Sequence, residues 1–182
     1  MATCMVVGFK KDMYRASEVL NELIDRGYDW TIDLDDAVAA YRDYNGKLRI
    51  DTKFQMSDGN SAAPGGLLGS LVGLTLGAIA SPMTASAHAN LARGTHSDDV
   101  YHAAGDTLDS RWWKDNFDLS DRFVQEVGAL VQPGDSAIYA LLRKADPTMV
   151  EGRFRDYGGS VMSITLSPEQ ERKLYPATRS KN

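Results

Sequence analysis

The chain has 182 residues, room for one domain or for one domain with a large insertion, and enough to bury a core without covalent staples. Hydrophobic residues make up 43% and charged residues 25%, an ordinary globular balance. The formal net charge of −5 argues against a dedicated nucleic-acid binder, which needs clustered lysine and arginine; the basic clusters here are pairs such as Lys10-Lys11 and Arg172-Lys173. The single cysteine, Cys4, excludes an intramolecular disulfide, favours a reducing compartment, and reads as a buried thiol within Cys4-Met5-Val6-Val7. No basic region followed by a long apolar core opens the sequence, so the expected location is the cytoplasm.

In chain order, residues 2–9 are apolar and partly β-branched, and predict a buried first strand. Asp12 is a candidate N-cap for a helix reaching about Arg26, with Ala16, Val19, Leu20, Leu23 and Ile24 on one face and Gly27 as its stop. A short acidic connection, Asp33-Leu34-Asp35-Asp36, leads into the apolar run Ala37 to Tyr41. Asp33, Asp35 and Asp36 are the densest carboxylate cluster, read as a solvated link or as oxygen ligands for a divalent cation. Tyr44-Asn45-Gly46 predicts a hairpin turn, because Asn-Gly tolerates positive φ. Lys47 to Phe54 then alternates polar and apolar, as a strand with one wet face does.

The middle changes character. After a hinge-like stretch at 57–64, Gly65, Gly69, Gly73 and Gly77 recur every four residues among leucines, and the small series continues through Ser81, Ala85 and Ala89. That spacing lays the glycines in a slowly drifting stripe on one helix face and lets another backbone come close. The stripe has three destinations: the helix's own domain, a second copy, or lipid. The apolar run from Pro64 to Ala80 is near the lower limit for a membrane span, Ser81-Pro82 interrupts it, and a crossing would part the two halves of the domain, so a full span is rejected. Peripheral contact with an inner membrane stays open. All three histidines follow, at His88, His96 and His102; Asp98 and His102 would share a helix face. His88, His96, Asp98 and His102 are therefore a candidate metal set, set against plain surface histidines. Arg111-Trp112-Trp113-Lys114 is an aromatic pair flanked by cations, suited to an interface.

The last third repeats the rhythm of the first. Ser120 caps a predicted helix with Phe123, Val127, Leu130 and Val131, ending at Pro133-Gly134. Ser136 to Lys144 reads as a strand buried on both faces, Ile138, Ala140 and Leu142 opposing Tyr139 and Leu141. Asp146-Pro147 opens another helix, closed by Gly158-Gly159; Val161 to Leu166 is a strand; Ser167-Pro168-Glu169-Gln170 is a capping box. Two strand-helix-strand units of this kind predict a mixed α/β (α+β) fold, a ferredoxin-like antiparallel sandwich interrupted by a glycine-zipper insertion. The predicted organisation is a first half at 1–56, the zipper helix and a polar helical excursion at 57–116, and a second half at 117–182.

Several blocks carry a family likeness. Val6-Val7-Gly8-Phe9, Ile32 through Val38, the glycine-rich middle, Pro133-Gly134-Asp135-Ser136-Ala137, Leu142-Arg143-Lys144-Ala145, Gly158-Gly159-Ser160-Val161 and Leu166 through Glu171 together resemble the uncharacterised bacterial family known as domain of unknown function 1269. Asp-Leu-Asp-Asp-Ala-Val is the most specific of these blocks. Members are commonly labelled membrane proteins for a long apolar hairpin in the glycine-rich middle. Here the second arm is polar and lengthened, so the resemblance implies the architecture and brings no catalytic residues.

No Gly-x-Ser-x-Gly, phosphate loop or Cys-x-x-Cys occurs, and no nucleophile-and-base constellation is recognisable. The expectation is a non-enzymatic assembly protein without a cofactor, self-associating or docking into a larger complex. The expected contacts are Gly65, Gly69, Gly73, Gly77, Ser81, Trp112 and Trp113. The alternatives are a metal- or small-ligand-binding protein with its site in 88–109, conceivably an enzyme, and a peripheral membrane protein.

Overall fold

The computed structural model describes residues 2–25, 34–51, 67–77, 110–142 and 146–179. Among them run five strands, β1 (Thr3–Phe9), β2 (Leu34–Arg42), β3 (Leu48–Asp51), β4 (Ser136–Leu142) and β5 (Ser160–Thr165). Six helices accompany them: α1 (Arg15–Asp25), α2 (Leu67–Gly77), α3 (Ser110–Phe117), α4 (Asp121–Leu130), α5 (Pro147–Asp156) and α6 (Pro168–Arg179). The strands form one sheet in the order β3-β2-β4-β1-β5, antiparallel throughout, which makes this a mixed α+β fold. The two strand-helix-strand units interleave. β4 separates β1 from β2, and β1 separates β4 from β5.

Local chemistry accounts for most boundaries. The Asp12 carboxylate accepts from the N–H groups of Tyr14 and Arg15, both at 3.0 Å, and starts α1. Ser120 accepts from Phe123 N at 3.1 Å, and Asp146 from Thr148 N at 2.9 Å with Pro147 in the first turn. The capping box is reciprocal: Ser167 N donates to Gln170 Oε1 at 2.8 Å and Gln170 N to Ser167 Oγ at 3.2 Å. In the β2–β3 hairpin only Gly46 takes a positive φ, +78°; Asn45 does not, and Asp43 Oδ1 instead accepts from Asn45 N and Lys47 N. After α5, Gly158 N bonds Arg155 O and Gly159 N bonds Phe154 O, a double closure of the helix end. Gly159 has no room for a side chain, because a Cβ there would lie 2.4 Å from Val7 Cγ1.

One boundary differs from the sequence expectation. Strand β2 begins at Leu34, inside what reads as an acidic link, and a bulge between Leu34 and Asp36 fits the extra residue against β4. Pairing with a fully buried neighbour outweighs the poor strand preference of aspartate. Strand β4 is described over Ser136–Leu142 and β3 over Leu48–Asp51; the expected continuations, to Lys144 and to Phe54, lie outside the described residues. On α4 the buried positions are Val124, Val127 and Gly128, with Phe123 and Leu130 half-buried at the flanks.

The sheet has a core on each face. Met5, Val7, Ala39, Ile138 and Ala140 point to one side, where Val19 and Leu20 of α1 and Phe154 of α5 meet them. Both crossover helices therefore share a face, as two interleaved units require. Cys4, Val6, Val38, Tyr139 and Leu141 point to the other side, and a two-layer sandwich would leave them wet. Here α2, α3 and α4 cover them. Each leucine that α2 contributes there stabilises by about 1.5–3 kcal/mol on leaving water.

Candidate functional site

Helix α2 reads Leu-Leu-Gly-Ser-Leu-Val-Gly-Leu-Thr-Leu-Gly and carries no charge. Each of its interior glycines costs about 1 kcal/mol relative to alanine, so the helix depends on what surrounds it. Leu68, Leu71, Val72, Leu74, Thr75 and Leu76 are all buried, against the sheet and against Trp113, Phe117, Val124 and Val127 of α3 and α4. Gly73 alone among its described positions is half-exposed. Gly69 and Gly77, one turn to either side, lie on the same flank by their spacing.

Two polar fastenings hold α2 to the sheet. Thr75 Oγ1 bonds back to Leu71 O at 2.9 Å and meets the Tyr139 hydroxyl of β4 at 2.7 Å, all buried. Arg42, at the end of β2 and only 4% exposed, donates from Nη2 to Leu76 O and from Nη1 to Gly46 O, the latter at 3.3 Å. Its Nε is buried without a hydrogen-bond partner. Burial pushes the Arg42 pKa below its ordinary value, yet guanidinium stays charged across the physiological range. Arg42 thus brings a cation from β2 to a carbonyl in the last described turn of α2.

A second buried network joins β4 to the turn after β1. The Asp135 carboxylate accepts from Lys11 N at 2.7 Å, from Lys10 Nζ at 2.9 Å and from Gln132 N at 2.9 Å. Lys10 Nζ also donates to Ala129 O and Leu130 O at the end of α4. Ser136 Oγ donates to Asp12 O at 2.6 Å and accepts from Ala16 N at 3.1 Å. Burial alone would raise the Asp135 pKa, but the Lys11 N–H, the Lys10 ammonium and the Gln132 N–H outweigh it and hold the carboxyl below its ordinary value. Cys4 is fully buried, and desolvation pushes its pKa up to about 12, so it stays a neutral, unreactive thiol.

Of the interface residues expected from sequence, Gly69, Gly73 and Gly77 are on α2, and Trp113 is buried on α3 with its ring centroid 4.9 Å from that of Phe117. Trp112 precedes it on α3. Gly65 and Ser81 lie outside the described residues, as do His88, His96, Asp98, His102 and Asp33. Among the described residues no group of three or more His, Cys, Asp or Glu is placed to hold a metal, and no helix is long and apolar enough to cross a membrane. The sequence reading missed Arg42, and gave no role to Thr75 or to the Thr75–Tyr139 bond. The one available signal was a threonine that, with Ser70, makes two hydroxyls in an otherwise apolar helix.

No curated protein and no solved structure matches this chain. One family model does, over residues 62–178, more than half of the sequence. The match takes in the glycine-rich middle, Pro133 to Ala137 and the capping box, and leaves out Val6 to Phe9 and the Asp-Leu-Asp-Asp-Ala-Val block. The chain belongs to the family described as Protein of unknown function (DUF1269).

Proposed function

We propose that this chain is a non-enzymatic assembly protein of the cytoplasm, whose α2 offers its glycine side to a second copy or to a larger complex. One observation carries the reading. The leucine flanks of α2 are spent on its own sheet, while Gly73 stays half-exposed, so the side without side chains is the side left for another backbone. Further support comes from the buried polar groups, since Asp135, Ser136, Thr75 and Arg42 each fasten one element to another. The frame reads as a ferredoxin-like sandwich, supported by the interleaved strand order.

The test is the absolute mass in solution by light scattering on a sizing column, without detergent. A defined oligomer that Gly73→Leu dissociates, and Gly73→Ala weakens, is the expected result. A monomer with the same mass before and after both substitutions would rule out association with itself through α2.

A further inference from the structure

Among the described residues, the two edges of the sheet differ in kind. β3 is four residues long and carries Arg49 and Asp51, the sort of charge that guards natural edges against stray pairing. β5 is six residues, Ser-Val-Met-Ser-Ile-Thr, with no charge, no proline and no register shift against β1. Leu166 N donates to Ala2 O at 2.8 Å and continues the β1–β5 ladder by one pair. Hydrogen bonding alternates along an antiparallel strand, so Ser160, Met162 and Ile164 turn their backbone groups toward β1. Val161, Ser163 and Thr165 turn theirs outward, and no group among the described residues bonds them. Ser160, Ser163 and Thr165 are exposed, and Val161, Met162 and Ile164 are half-buried.

We propose that β5 is a self-pairing edge, to which the β5 of a second copy of this chain adds in antiparallel, two-fold register and so doubles the five-stranded sheet. The strand is matched to itself. With Ser163 opposite Ser163 of the copy in a hydrogen-bonded pair, Val161 faces the copy's Thr165 and Met162 faces its Ile164. Outward from Ser163 in either direction the strand runs large apolar, then β-branched, so like classes meet on both sides of the axis. Met162 and Ile164, which now pack only partly against the core that includes α2, would cover each other. Two copies that each carry −5 repel in general, and this strand adds no charge of its own to the contact. The inference rests on the assembly reading only in taking the chain to associate; the surface is separate from α2, so each can fail without the other.

Light scattering of the full chain tests it. Ser163→Lys sets two ammonium groups opposite each other on the axis and should halve the mass, with the circular dichroism spectrum and melting curve unchanged because the side chain is exposed. Ser163→Cys should oxidise to a covalent dimer, since paired Cα atoms about 5.5 Å apart are within disulfide reach. Cys4 is buried and cannot substitute for it. Both results should persist in a Gly73→Leu background. A wild-type monomer, a mass that survives Ser163→Lys, or no covalent dimer from Ser163→Cys would each overturn the pairing. If Gly73→Leu is then the change that dissociates the chain, assembly through α2 stands and the edge does not take part.

Discussion

Asp135 is the residue whose charge the fold uses most directly. It is 4% exposed and accepts three hydrogen bonds, two from backbone and one from a lysine. Its carboxyl is held below the ordinary 3.8, so the unfolded chain binds the proton more readily than the folded one. Its contribution is therefore fully present above the ordinary carboxylate range and is lost as pH falls from about 3.8 through the lower folded value. Asp135→Asn should lower stability at neutral pH by about 1–3 kcal/mol, because Lys10 and a backbone N–H lose their anion. Urea midpoints of the two proteins, compared at neutral pH and again at an acid pH below the ordinary 3.8, should draw together at the acid value, as the native carboxylate in its turn takes up a proton. An equal gap at both pH values would mean that Asp135 acts through shape rather than charge.

At the scale of elements, caps and turns were legible and the destination of α2 was not. Asp12, Ser120, Asp146 and Ser167 each act on N–H groups two or three residues away, so sequence and structure report the same event. The alternation of Ile138, Ala140 and Leu142 against Tyr139 and Leu141 likewise translates directly into two faces. The glycine stripe says only that something comes close. Three partners satisfy that condition, and nothing local chooses among them. Arg42 was illegible for a related reason, since at a strand end it looks like a solvated charge and its acceptor lies 34 positions away. What settles α2 on its own sheet is the packing of its leucine side and the contact of Thr75 with Tyr139. A double-mutant cycle on Thr75→Val and Tyr139→Phe should return a coupling of about 0.5–1.5 kcal/mol. Strict additivity would show that apolar packing alone fixes the helix.

For the whole molecule, the interleaved strand order decides when structure can form. β1 and β2 share no ladder; each waits for β4, and β5 in turn needs β1. A polypeptide made from its amino end thus emerges with its first two major strands unable to pair with one another. The uncharged leucine-glycine segment of α2 follows them out and finds no sheet to cover. Apart from the β2–β3 hairpin, no ladder of the sheet can close until residues 136–142 have left the ribosome, whatever the helices have done by then. A fragment ending at Leu130 should accordingly show helix with no more sheet than the β2–β3 hairpin by circular dichroism and bind a hydrophobic dye, whereas one ending at Leu142 should lose much of that binding. The arrangement leaves apolar surface uncovered for most of synthesis, so truncation anywhere before β4 should favour aggregation over a smaller working protein.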